Sequence, residues 1–390
     1  VIDSVTTLSP TTILNLRGSY NRFIEAAYRT RAMGFDMTSL GFPAALSAAR
    51  SQAMVLRIEP DQYREWGPSG WNEQITNTLS FQGNLSRMVG KHSYKAGVET
   101  RDLRVNIKGS GWGGGRFTFS RDFTRRLPQY SEATAGSSIA SLLLGYPNGG
   151  QVENNAFLAF RWGYYAVYLQ DDIKLTSKLT VNLGVRYDYE SAPTERYDRM
   201  NRGFGFDQIS PLAEQIKNAP GLSECPPCAT LKGGLLFTGV AGQPRQAFDA
   251  DRNNWQPRVG AAYQLSRRTV LRGGYGIYYM AQAEMGGSTG FSISTPYVAT
   301  TGGGAAGYMP ANTLSNPFPT GVLTPPGALQ GLLTQAGSSI TFNLANRRLP
   351  YVHQFSFGLQ RELPWSIKLD ASYAGSRLSL IHISEPTRPY

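Results

Sequence analysis

The chain holds two cysteines, and they form a single C-x-x-C unit, Cys225-Pro-Pro-Cys228. That spacing serves thiol–disulfide exchange at a strand-to-helix junction, or supplies half of a zinc site when two further ligands converge on it. The only histidines are His92, His353 and His382, a poor donor set for zinc. The pair lies in a Gly/Pro-rich stretch, so it reads as a small loop-stapling disulfide of an oxidising compartment, with free thiols as the alternative. Asp171-Asp172 has the look of a paired acid and base. On a strand, however, adjacent side chains leave opposite faces and cannot share a substrate. The run Gly111 to Gly115, GWGGG, lacks the Lys-Ser/Thr of a phosphate-binding loop, and Gly302-Gly303-Gly304 reads as flexible loop. No Ser-His-Asp set is convincing with so few histidines. Catalytic residues are therefore not assigned.

The elements that would position any site are strands. In Leu179 to Glu190, LTVNLGVRYDYE, the residues Leu179, Val181, Leu183, Val185, Tyr187 and Tyr189 share one face. Thr180, Asn182, Gly184, Arg186, Asp188 and Glu190 share the other, and this strict alternation is a strand signal. Tyr164 to Leu175 alternates likewise. The two segments pair with matched faces through Thr176-Ser177-Lys178, which sets Tyr168 opposite Arg186. The same grammar predicts four further hairpins. They run from Val1 to about Asn21, Ile75 to Arg101, Val259 to Tyr279 and Phe355 to Tyr373, turning near Ser9-Pro10, Val89-Gly90, Arg267-Arg268 and Pro364-Trp365-Ser366. Lys368 is expected opposite Glu362. Ten strands of ~10–12 residues result, a tilted membrane-spanning length.

Between hairpins lie long connections, roughly 24 to 73, 104 to 162, 191 to 254 and 280 to 350. Structureless loops beyond ~15 residues argue against a compact water-soluble domain. Short turns at one end and long loops at the other are the layout of an outer-membrane barrel. Tyr164, Tyr165, Tyr187, Tyr189, Tyr275, Tyr278, Tyr279, Tyr351 and Phe355 sit near the loop-side ends, where an interfacial girdle belongs. Composition agrees: charged residues are only 17%, with 43 Gly, 21 Tyr, 18 Phe and 6 Trp. No run approaches the ~18 apolar residues of a membrane helix. A soluble antiparallel β protein with one wet face is the alternative. The net charge of +11 is spread without any block longer than Arg-Arg, which argues against nucleic acid as a partner. No export signal is visible at Val1.

On the polar face, Arg17, Arg101, Arg186, Arg258 and Arg272 with Glu99, Asp188, Glu190 and Asp370 make a charged interior. For most of them the favoured reading is a charge ladder that stabilises the wall. Ligand passage or plug docking is the other reading, with Arg186, Asp188, Arg258 and Arg272 as its candidates.

Three stretches carry a family resemblance: YYAVYLQDDIKLTSKLTVNLGVRYDYE (Tyr164 to Glu190), NNWQPRVGAAYQLSRRTVLRGGYGIYY (Asn253 to Tyr279) and PYVHQFSFGLQRELPWSIKLDASYAGSR (Pro350 to Arg377). In order and spacing they resemble the barrel of TonB-dependent outer-membrane receptors, in particular the Oar-like group with its carboxypeptidase-regulatory-like domain. KHSYKAGVETR (Lys91 to Arg101) and SIASLLLGYP (Ser138 to Pro147) look like the same group. The resemblance implies an all-β antiparallel barrel in the Gram-negative outer membrane and energised uptake of a bulky ligand. Such receptors have about 22 strands around a plugged lumen, against the ten found here, and no plug or TonB box is visible. Residues 1–377 are accordingly expected to be an internal barrel fragment. Residues 378–390, LSLIHISEPTRPY, break the pattern. Leu378 to Arg388 is similar to a translated transposase adapter from DNA library preparation, so this tail is expected to be non-native and His382 and Glu385 are given no role.

The implied surroundings and partners are outer-membrane lipid and lipopolysaccharide, the TonB complex through a plug, and an imported ligand whose identity the sequence does not give. The full-length barrel is expected to be monomeric, with no cofactor. A non-transporting surface, adhesion or assembly protein on the same barrel is the alternative function, and an outer-membrane hydrolase the third.

Overall fold

The structure is a computed structural model and describes residues 1–28, 30–50, 52–126, 135–216, 230–282, 285–301 and 309–379. Ten long strands follow one another in chain order: β1 (Ile2–Ser9), β2 (Thr12–Ala27), β3 (Trp71–Val89), β4 (His92–Ser110), β5 (Leu158–Lys174), β6 (Leu179–Glu190), β7 (Trp255–Ser266), β8 (Thr269–Tyr279), β9 (Tyr351–Glu362) and β10 (Lys368–Ser379). Each pairs antiparallel with its neighbours in sequence, so the sheet is a simple meander from β1 to β10. Thr194–Glu195 adds a short strand against β5. Among the described residues β1 and β10 are the two edges, and the sheet does not close.

The expected registers hold. Tyr168 stands opposite Arg186 and Glu362 opposite Lys368. The turns are Pro10-Thr11, Gly90-Lys91, Leu175 to Lys178, Arg267-Arg268 and Leu363 to Ile367. Two of them lie one residue later than expected. A bulge between Thr7 and Ser9 delays the first. In the second, Gly90 takes a positive φ of 58°, a conformation a side chain would disfavour.

Several strands are longer than the tilted span expected of them. β3 and β4 have 19 residues each and β5 has 17. The cause is an inversion of polarity along the strand. In β4 from Tyr94 to Val98 the outward residues are apolar; beyond Thr100 they become Asp102, Arg104, Asn106 and Lys108. The inward ones change from Lys95, Glu99 and Arg101 to Leu103, Val105 and Ile107. Alternation continues with its sign reversed, so a search for an apolar outer face stops halfway.

The reversed stretch packs against the connections above it. Val105, Phe160, Trp162, Met200, Ala247 and Phe248 form one core. The long connections are therefore not structureless. Four segments drawn from three of them build a second sheet, ordered Ser292–Pro296, Gly149–Asn155, Arg116–Phe119, Arg57–Pro60, over a core of Met37, Phe42, Leu56, Phe117, Phe119 and Tyr297. Burial in that core pushes the Tyr297 phenol up to about 12, and its hydroxyl donates to the Asn312 carbonyl at 2.6 Å. Ser138–Leu143 is a short helix, capped where the Ser137 hydroxyl accepts from the Ala140 amide. Below this cap, large apolar side chains cover the outer face without partners: Leu79 is 56% exposed and Phe357 57%. A face of that kind is stable in lipid rather than in water.

Candidate functional site

Alternation sends Glu99, Arg101, Tyr164, Arg186, Asp188 and Gln256 to the inward face, and register brings them together. Glu99 pairs with Ala166, which pairs with Asp188 on the next strand. Gln256 sits opposite Arg186. Arg186 is the hub. Its Nε donates to Asp188 Oδ1 at 2.7 Å, and one terminal nitrogen donates to Glu99 Oε2 at 3.0 Å and to the Tyr164 hydroxyl at 2.7 Å. The Tyr164 hydroxyl in turn donates to Asp188 Oδ2 at 3.0 Å, and Gln256 Nε2 donates to that oxygen at 2.6 Å. On the far side Arg101 Nε donates to Glu99 Oε1 at 2.7 Å and its guanidinium lies over the Tyr164 ring. One guanidinium thus ties β4, β5 and β6, and Asp188 extends the tie to β7. Each link is charge-assisted, hence stronger than a neutral hydrogen bond.

Nearer the short turns a second set runs across β1 to β5. Asn15 Nδ2 donates to Asp3 at 2.6 Å, Asn84 Nδ2 to Asn15 at 3.4 Å, and the Tyr168 hydroxyl to Asn84 Oδ1 at 2.8 Å. Tyr168 reaches β3 by lying flat across Gly97 of β4, where a Cβ would meet the ring at 2.4 Å. Here glycine is required by the close approach.

Of the four candidates for ligand contact, Arg186 and Asp188 meet as an ion pair and are mostly buried. Arg258 and Arg272 also face inward, on β7 and β8, but neither makes an ion pair with any described residue. Both are exposed to the lumenal side. Arg258 lies over the Tyr278 ring, between Gly184 and Gly276 on the flanking strands. Arg272 lies between Ala262 and Gly358. Small neighbours leave both cations open to whatever occupies the lumen.

Asp171 and Asp172 diverge as expected. Asp171 faces outward to His92 Nδ1 at 2.6 Å; Asp172 faces inward and accepts from Asn182 Nδ2 at 2.6 Å. Cys225 and Cys228 lie outside the described residues, as do residues 380–390, while Leu378 and Ser379 complete β10. Two aromatics assigned to the outer girdle are corrected. Tyr164 and Tyr278 occupy even positions of β5 and β8 and point inward, so proximity to a strand end misled where parity decides. The girdle positions Tyr165 and Tyr189 do pair outward, with their rings stacked at 6.2 Å. Nothing in the local sequence marks Gln256, although its position opposite Arg186 follows once β6 and β7 are aligned.

Residues 1–385 match the family described as outer membrane beta barrel domain. The chain belongs to that family. Its place is accordingly the Gram-negative outer membrane, with the unpartnered apolar face of the barrel domain toward lipid. Among solved structures the barrel domain is similar to the copper transporter OprC (10% identity, TM-score 0.39, 94% of this chain and 35% of that one). It is similar also to the ferric yersiniabactin uptake receptor FyuA from Yersinia pestis (8%, 0.40, 96% and 34%) and the ferric-catecholate import receptor Fiu from E. coli K12 (12%, 0.40, 95% and 39%). The chain spans little more than a third of the length of these proteins. No curated protein sequence matches it.

Proposed function

We propose that the chain is part of the barrel wall of a TonB-dependent receptor of the Oar-like group, which takes up a bulky ligand under force from the inner membrane. The observation that carries this reading is the division of the inward face. Over β1 to β6, and at Gln256 of β7, the polar side chains are tied to one another and serve the wall, whereas Arg258 of β7 and Arg272 of β8 remain open toward the lumen. An open guanidinium on a lumenal wall is suited to an anionic plug surface or a passing anionic ligand. The resemblance of the stretches at Tyr164, Asn253 and Pro350 supports the same reading, and it makes residues 1–377 an internal part of a larger barrel and 378–390 a non-native tail.

No catalysis is proposed. Asp171 and Asp172 point to opposite faces, and each already has its own partners. The folded cap supports the second reading, a non-transporting surface or assembly protein, because a sheet built from three connections is a firm platform for a protein partner. One experiment separates the two. The complete protein, purified from outer membranes, is tested for binding to the periplasmic domain of TonB by surface plasmon resonance. A transporter binds through a short segment ahead of a plug. A complete protein that lacks such a segment and does not bind overturns transport in favour of the surface role.

A further inference from the structure

Just beyond the outer apolar band, one register row crosses five strands: Arg22, Asn77, Arg104, Arg161 and Thr194, each directly opposite the next. Arg104 and Arg161 are thus cross-strand neighbours of like charge, an arrangement that destabilises a sheet unless an anion lies between them. A single carboxylate serves both. Asp102 accepts from Arg161 Nε at 2.8 Å through one oxygen and from Arg104 at 2.7 Å through the other. Both guanidinium groups remain more than half exposed, at 56% and 64%. Arg22, on the same row, makes no ion pair with any described residue. Three cations and one anion leave an excess of positive charge on the lipid-facing side, just above the Tyr165–Tyr189 pair.

Below the row, Leu79, Phe81, Val98 and Val167 form a continuous exposed apolar surface. A groove of about 320 Å³, lined by Tyr20, Arg22, Asn77, Leu79, Asp102 and Arg104, leads from it to the arginines. On the other side of Asp102 a cavity of about 660 Å³ includes Arg161, Tyr165, Tyr189 and Arg252, together with Asp249, whose carboxylate is paired with Arg202. An occupant must be anionic at one end and apolar at the other.

We propose that Arg22, Arg104 and Arg161 bind the phosphate group of a phosphorylated glycolipid of the outer leaflet, with its acyl chains along Leu79, Phe81, Val98 and Val167. The planar guanidinium fork matches phosphate oxygens two at a time, which a point charge does not. The site depends on the outward face meeting lipid and not on transport, so TonB binding and lipid binding fail or succeed separately.

The test uses the complete barrel in detergent, titrated with bisphosphorylated lipid A, lipid A stripped of its phosphates, or inorganic phosphate, with adducts counted by native mass spectrometry. The expected result is a one-to-one adduct with the bisphosphorylated lipid, at least about tenfold weaker binding of the stripped lipid, and none of inorganic phosphate. R104Q/R161Q should lose the preference for the phosphorylated lipid, R161K should weaken it, and R258Q on the lumenal face should leave it unchanged. Heat-modifiable migration of each variant confirms that it folds. Equal binding of both lipids, or a preference that survives R104Q/R161Q, overturns the proposal. Binding of inorganic phosphate as tight as that of the lipid overturns the assignment to a membrane amphiphile.

Discussion

At the scale of single residues the wall is decided by parity. Val181 and Asn182 are neighbours, yet Val181 faces lipid between Ile173 and Ala261 while Asn182 faces inward and donates to Asp172. In the complete barrel, Val181→Arg should cost up to about 2–4 kcal/mol, the midplane penalty for a cation in the apolar band, and less the nearer it sits to the interface. Asn182→Arg should cost under about 1 kcal/mol, because the new cation meets the Asp172 carboxylate. Equilibrium unfolding of both variants in bilayers checks this, and a larger loss for Asn182→Arg would reverse the two faces. Gly97→Ala sets a Cβ into the Tyr168 ring, so it should cost about 1–3 kcal/mol. The same change should cost far less in a Tyr168→Ala background, and a double-mutant cycle by unfolding reads the difference. Much of this scale was legible in the sequence. Arg186 and Asp188 fall on the polar side of a twelve-residue alternation, and their inward placement follows. That they form one hub with Glu99 and Tyr164 did not follow, since the contacts cross from β4 to β6 and depend on register between non-adjacent strands.

At the scale of elements, period-2 alternation marks all ten strands and five turns but not where the strands end. A period-2 search keeps its phase only while the apolar residues stay on one side. Past Thr100 the outer side leaves the apolar band for polar surroundings and the inner side meets a protein core, so Leu103, Val105 and Ile107 carry the pattern inverted. This makes a sharp prediction. Val105→Asp buries a carboxylate in the core beneath the cap and should destabilise by several kcal/mol, about 3 or more, while Asn106→Asp on the outer side should be near neutral. Were 104 to 162 an irregular loop, both would be tolerated; thermal unfolding of the two variants distinguishes the cases. The cap has a charge device of its own. Arg57 and Arg116 stand opposite each other, both near the Trp112 ring, and both bond to Glu59. The hydrogen bond from Arg116 above all, with that from Arg57, holds the Glu59 carboxyl below its ordinary value of 4.5. A lowered pKa adds stability that is complete above that value and is lost as pH falls through the folded-state pKa. Acidification below pH about 4.5 should therefore lower the amide protection factors, taken relative to the intrinsic rate at each pH, at Arg57–Pro60 and Arg116–Phe119 first. In Glu59→Gln that acid sensitivity should be absent, as hydrogen-exchange mass spectrometry would show.

For the whole molecule, the governing fact is a sheet with two lateral edges. Unpaired backbone groups cannot face hydrocarbon, so β1 and β10 need partners in the membrane. The 390-residue chain expressed alone in detergent should migrate identically with and without boiling and be degraded by trypsin. A heat-modifiable, protease-resistant monomer would show that it closes by itself. The pieces of the cap sheet enter from the connections after β2, β4 and β8, which leave the wall at points well separated along the meander. Their backbone hydrogen bonds work as a tie-beam across the rim. A load that pulled β2 and β8 apart would be carried by the beam in tension before it reached the ladder between the wall strands. The three connections share that load, so none of them can swing outward by itself without breaking main-chain hydrogen bonds to another.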